Sequence, residues 1–232
     1  MIHNIISAGI SALCEIIVVH PIDVYKVLYQ QNPNYNIYTY ANTPLRFKYR
    51  GVIARTIGII PMRTTFWVSQ DFAKLYFPTY KIEYINYSMI GSFTAFCQTI
   101  VDTPIENIKM NRINYIPSTY TYSTLYRGFS PNYFRNSIFA THVISCNEIG
   151  NKYNVNSFIT GSIGGLIGSI MSQPIDYIKT MQQSDQSIYY KDIIMNPYHR
   201  YNCMNGWFPR ASVGFISMGI GNFVFCYCKK FI

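Results

Sequence analysis

The stretch HPIDVYK at residues 20–26 places an acid two positions and a lysine five positions after a proline, and TPIENIK at 103–109 and QPIDYIK at 173–179 repeat the arrangement. With 10 acidic and 19 basic residues among 232, a given proline meets both conditions with a chance of roughly 0.004. The 11 prolines would then give about 0.04 matches where three occur. The chain is built from an internal repeat, and the repeat decides the architecture.

Two further registers follow the same clock. YRG at 49–51, YRG at 126–128 and a degraded MNG at 204–206 end in Gly51, Gly128 and Gly206, 77 and 78 residues apart. Small residues recur nine, twelve and thirteen places before each proline: Ala12, Ala95 and Gly165; Gly9, Ser92 and Ser162; Ala8, Gly91 and Gly161. That spacing marks one helical face along which neighbouring helices can approach closely. Each repeat reads as a helix ending near its proline, a polar connection, and a second helix starting just after its glycine. The repeats divide one domain, 1–232, at 1–80, 81–152 and 153–232.

Composition agrees with a membrane setting. Charged residues make up 12% of the chain and hydrophobic ones 49%, about half the charge of an ordinary soluble domain. Residues 84–101, 155–175 and 211–228 lack Asp, Glu, Lys and Arg altogether, and each is long enough to cross a hydrocarbon core as a helix. Three weaker stretches complete a set of six: 5–20, interrupted by Glu15; 52–70, by Arg55 and Arg63; and 129–147, by Arg135. A charge at mid-membrane costs about 2.5–3.5 kcal/mol on insertion scales, so these residues should face a partner or an aqueous cavity. No removable signal segment is expected. The net charge of +9 belongs on loops or along an anion path, and nucleic acid is not an expected partner.

No nucleophile–base pair, metal-ligand spacing or phosphate-binding glycine loop occurs, so neither enzyme activity nor a cofactor or metal is expected. The six cysteines read as small buried side chains.

Proline, acid and lysine three times over, each followed by an aromatic-basic-glycine triplet or its remnant, resembles the mitochondrial carrier family along the whole chain. The Ile-, Asn-, Tyr- and Lys-rich composition and short length are also similar to divergent carriers of giant DNA viruses. The resemblance implies an all-α membrane protein: six transmembrane helices in three pseudo-threefold repeats around a central cavity, multi-pass in the mitochondrial inner membrane, the host's if the source is viral. It further implies a monomer among membrane lipids that carries a small anionic substrate by alternating access.

The resemblance assigns residues as well. Asp23, Lys26, Glu106, Lys109, Asp176 and Lys179 would pair across repeats as a matrix gate beneath the cavity, braced by Gln30 and Gln183, with Ile113 at the second brace position. The local alternative is an i,i+3 ion pair on each helix. Pro21, Pro104 and Pro174 would kink the odd-numbered helices. At the cytoplasmic gate Asp71 and Lys74 fit the pattern with Gln70 for the aromatic. Glu148 is followed by Asn151, with Lys152 one place late, and Cys226 replaces the acid before Lys229. The connections, 30, 24 and 32 residues from proline to glycine, are shorter than usual in the family, so their surface helices should be trimmed.

Substrate contacts in the family fall seven and eight places after each glycine: Gly58 and Ile59, Arg135 and Asn136, Val213 and Gly214. Arg135 can hold a carboxylate or phosphate bidentately, and Asn136 supplies a neutral partner. Arg63 would take a second anionic group or pair with Glu15. The reading adopted is nucleotide exchange (ATP/ADP/dATP-like), with phosphates on the arginines and the base against Ile59 and a tyrosine. A carboxylate or keto-acid carrier is the alternative within the family, and a non-transporting scaffold the alternative outside it. His142 reads as structural.

Overall fold

The computed structural model describes residues 2–32, 34–78, 80–114, 121–184 and 190–231; within them, the side chains at 2–8, 30, 31, 54, 55, 67, 112–114, 183, 184, 190, 225, 226 and 229–231 lie outside the description. Twelve helices occur among the described residues. Long ones are α1 (Ile2–Gln31), α4 (Val52–Tyr76), α5 (Glu83–Asn114), α7 (Phe129–Lys152), α8 (Ser157–Met171) with α9 (Gln173–Ser184), and α12 (Trp207–Phe231). Short ones fill the connections: α2 (Ile37–Ala41), α3 (Leu45–Lys48), α6 (Tyr122–Leu125), α10 (Tyr190–Met195) and α11 (Pro197–Tyr201).

The long helices close a ring. α1 packs on α4, α4 on α5, α5 on α7, α7 on α8, α8 on α12, and α12 back on α1. Small residues permit this closeness: Ala12 and Ala95 are fully buried, Gly91 lies against Thr141, and Gly165 meets the backbone of Gly214 on α12. Gly9, in the same register, faces open space.

Helices do not end near their prolines as the sequence suggested. α1 runs on past Pro21 and α5 past Pro104. A proline has no N–H, so the carbonyl four residues earlier loses its helical partner. The tyrosine of each YRG replaces that partner: Tyr49 Oη donates to the Ile17 carbonyl at 2.9 Å, and Tyr126 Oη to the Ile100 carbonyl at 3.3 Å. The third repeat has Met204 there, with no hydroxyl. Its helix is interrupted at Ser172, whose N–H is directed at the Gly168 and Ile170 carbonyls before α9 begins at Gln173.

The three glycines share one conformation, with φ of 77°, 74° and 81° at Gly51, Gly128 and Gly206. This left-handed region suits a residue without Cβ, and the even-numbered long helix begins at the next residue in every repeat. The carbonyl just before each glycine is held by an odd-numbered helix. His20 Nε2–H reaches Arg50 O (2.9 Å), Asn107 Nδ2 reaches Arg127 O (3.0 Å), and Gln173 Nε2 reaches Asn205 O (2.6 Å). His20 and Gln173 precede their prolines by one, whereas Asn107 follows its proline by three.

The bundle is polar inside and apolar outside. Glu15, Asp102, Asn132, Asp176 and Lys179 are buried, while Ile17, Ile57, Leu75, Phe96, Phe134 and Phe223 are exposed. Among the described residues no helix is long and apolar enough to cross a membrane, contrary to the expectation from the uncharged windows. Two causes account for this. α8 stops after 15 residues, and the other long helices carry a polar inner stripe that dilutes the hydropathy of any window along them.

Candidate functional site

The axis of the ring holds a cavity of about 140 Å³. Its floor is made by the six charged residues of the proline motifs. Lys26 Nζ lies 2.6 Å from Asp176 Oδ2, Lys109 Nζ 2.6 Å from Asp23 Oδ2, and Lys179 Nζ 3.0 Å from Glu106 Oε2. Every lysine thus meets the acid of another repeat, and the pairs run around all three. The local i,i+3 contact between Lys109 and Glu106 is longer, at 3.7 Å. Burial makes the pairing obligatory, because removing one partner would strand a charge away from water.

Asp176 does more than its counterparts in the motif suggest. Besides Lys26 it receives Arg210 Nη1 at 2.6 Å and Arg135 Nη1 at 3.2 Å, both on Oδ1. One fully buried carboxylate therefore gathers a cation from each repeat. Arg135 also reaches Asp102 Oδ2 at 3.2 Å and Asn136 Oδ1 at 2.6 Å, and Asn136 Nδ2 donates to Thr99 Oγ1 at 3.0 Å. Arg210 is fixed in turn by the Ser169 carbonyl and Ser172 Oγ, at the break between α8 and α9.

Ile59 and Met62 of α4, Val213 and Gly214 of α12, and Gln98 and Phe139 form the wall. Toward the other end, Arg63 pairs with Glu15, and Ser217 Oγ donates to Glu15 Oε1 at 2.5 Å. This buried cluster ties α4, α1 and α12 together above the cavity.

Of the expected contact residues, Ile59, Arg63, Arg135, Asn136, Val213 and Gly214 line the cavity. Gly58 does not. Its Cα faces α5, where a Cβ would collide with Ile105, because a residue one step from the inward-facing Ile59 points about 100° away on a helix. Arg63 takes the Glu15 alternative. His142 Nδ1 bonds the Ile138 carbonyl of its own helix at 2.8 Å. The side chains of Gln30, Gln183 and Lys229, and that of Ile113, lie outside the described residues.

At the far end Lys74 meets Glu148 at 2.6 Å across two repeats, and Asp71 is exposed. Lys152 turns to Glu83, at the start of α5, instead of continuing the row with Glu148. Their hydrogen bond holds the Glu83 carboxyl below its ordinary range and the Lys152 ammonium above its own.

Two site residues escaped the sequence reading, Asp102 and Arg210. Both had a signal, since each adjoins an uncharged window and was treated as its end. Asp176 stands in the same relation to residues 155–175, which shows that a charge at a window's edge can be as deeply buried as one within it.

The sequence matches the family described as "Mitochondrial carrier protein" over residues 1–81 and 150–209. It is 21% identical to "Mitochondrial carrier-like protein L276" of Acanthamoeba polyphaga mimivirus over 214 residues, covering 87% of each chain. Identity is 22% with the "Mitochondrial 2-oxodicarboxylate carrier" of Bos taurus, over 80% of this chain and 76% of that one. With the "Mitochondrial magnesium exporter 1" of Drosophila melanogaster it is also 22%, over 90% and 85%. The family match spans more than half of the sequence and agrees with the threefold bundle and its ring of motif charges: the chain belongs to the mitochondrial carrier family of membrane transporters.

Proposed function

We propose that the protein exchanges small organic anions of the carboxylate class across the mitochondrial inner membrane by alternating access. The observation that carries this reading is the convergence of Arg135 and Arg210 on one buried carboxylate oxygen, that of Asp176. Two guanidinium groups that can share an internal carboxylate are spaced to hold one from a substrate. The apolar outer surface supports the membrane setting. On the family's orientation, the closed ring at the proline end is the matrix gate. The Glu15–Arg63–Ser217 cluster would have to part for access from the other side.

A nucleotide is supported by the two arginines and by Ile59 on the wall. Its base, however, would find Phe139 as the one aromatic ring among the described lining residues, and the room available is small against the roughly 300–1,000 Å³ of ordinary ligand pockets. The name of the bovine relative also favours a carboxylate. Divalent cations fit less well, because Glu15, Asp23, Asp102 and Glu106 already face Arg63, Lys109, Arg135 and Lys179 respectively.

Counter-exchange in liposomes separates the readings. Purified protein should exchange internal for external 2-oxoglutarate or malate. Exchange of ATP, ADP or dATP without carboxylate exchange would select the nucleotide reading. Failure with carboxylates, nucleotides, amino acids and phosphate alike would leave a scaffold.

A further inference from the structure

We infer that Asp176 is a resident anion: its carboxylate occupies the position that a substrate carboxylate takes, and a substrate must displace it from Arg135 and Arg210 in order to bind. The inference rests on the anion-carrier reading and deepens it by adding Arg210 to the substrate contacts and naming the group that competes with the substrate.

Three observations carry it. Asp176 Oδ1 is the shared acceptor for Arg210 at 2.6 Å and Arg135 at 3.2 Å, while Oδ2 holds Lys26 at 2.6 Å. The acid is thus divided between an upper pair of guanidiniums on the cavity wall and a lower ammonium in the ring. Arg135, Arg210 and Lys26 all line the cavity, so an incoming anion reaches the cations that Asp176 holds. Finally, Arg210 is braced from behind by Ser169 O and Ser172 Oγ, and Arg135 by Asn136 Oδ1 and Asp102. The guanidiniums would keep their places while the carboxylate between them changed.

The physical logic follows from burial. Two guanidiniums in a narrow cavity need a counter-charge when no substrate is present. An internal carboxylate supplies it without closing the site, because an anion of equal charge can take its place. Displacement then has a mechanical consequence. Asp176 stands on α9, and its bonds to Arg135 on α7 and Arg210 on α12 tether that helix; an anion that takes over both arginines leaves α9 held through Asp176 by Lys26 alone among these three cations. Substrate entry would thereby loosen the floor at one of its three joints before the ring parts.

Binding tests this separately from transport. Purified wild type, Asp176→Asn and Glu106→Gln are compared by ligand-dependent thermal shift in detergent and by KM and Vmax in liposomes, using 2-oxoglutarate and, in a parallel arm, ATP. Both substitutions weaken the ring, but only the first removes the resident anion. Asp176→Asn should bind 2-oxoglutarate about tenfold more tightly than wild type, the worth of one charge-assisted hydrogen bond, with a fall in KM. Glu106→Gln should stay within about threefold, and Asp176→Glu should return the affinity toward the wild-type value. Equal shifts in the two neutral variants, or weaker binding by Asp176→Asn, would overturn the inference. Should Asp176→Asn not fold, Arg210→Gln decides: affinity should drop about tenfold, and an unchanged value overturns the inference. If only the ATP arm binds, the carboxylate reading fails while the same contrast, read with ATP, still judges the resident anion. Binding of neither probe by any variant would overturn both.

Discussion

The first two repeats and the third solve the same problem differently. In all three a proline leaves a carbonyl without its helical partner. In the first two a tyrosine hydroxyl from the loop replaces it, and the helix continues through Pro21 and Pro104. In the third, Met204 cannot do so and the helix divides at Ser172. At that division Arg210 bonds Ser169 O and Ser172 Oγ and then reaches Asp176. Loss of symmetry in the loop is thus coupled in space to the acid that carries the extra cations. A threefold sequence motif has produced a ring with one distinguished member.

The largest effect should come from the arginine that links the second repeat to that member. Arg135→Ala would strand Asp102 and part of the charge of Asp176 in the interior, and loss of folded protein is expected, since a broken buried pair costs about 3–5 kcal/mol. Arg135→Lys keeps the charge and gives up the bidentate fork. It should reduce exchange by about a hundredfold while the protein stays folded by circular dichroism. Near-normal exchange in this variant would remove Arg135 from the substrate path.

Charge reversal tests whether the third joint differs from the first. Single substitutions Asp23→Lys and Lys109→Asp should each cut exchange more than about tenfold. Together they should recover much of it, because Lys109 Nζ and Asp23 Oδ2 form a direct 2.6 Å pair. The corresponding double reversal at Lys26 and Asp176 should recover little, since a lysine at 176 would face Arg135 and Arg210. Equal rescue at the two joints would contradict the arrangement of cations around Asp176.

How far the sequence foretold this arrangement depends on what each residue's role required. The ring was legible because its six residues recur at fixed distance from a proline, a pattern that chance does not produce. Arg135 and Ile59 were placed on the cavity by spacing from a glycine. Gly58 was misplaced by the same rule, because on a helix neighbouring residues face different ways and a two-residue window cannot choose between them. Asp102 and Arg210 were missed because uncharged windows were read as the membrane part and their bounding charges as outside it. The continuation of α1 and α5 past their prolines was hidden for another reason. It depends on a hydroxyl from 28 residues after Pro21 and 22 after Pro104, and local propensity, which says that proline ends a helix, carries no trace of that contact.

That contact offers the smallest but most direct test of the comparison. Tyr49→Phe removes one hydroxyl from a 2.9 Å bond to Ile17 O and returns that carbonyl to an unpartnered state, at about 1 kcal/mol. For a chain of this size the midpoint of thermal unfolding should fall by about 2–4 °C. Tyr126→Phe should cost less, because its bond to Ile100 O is longer, at 3.3 Å. Met204→Tyr makes the opposite change, supplying the third repeat with the hydroxyl it lacks. If the division at Ser172 arises from that missing donor, the new side chain should raise the midpoint by a similar amount and slow amide hydrogen exchange across residues 170–174, as α8 and α9 join. Exchange activity should fall at the same time, since a continuous helix would draw Ser169 and Ser172 away from Arg210. A stabilised helix with undiminished activity would mean that the break and the site merely coincide, and that the third repeat's departure from symmetry has no part in transport.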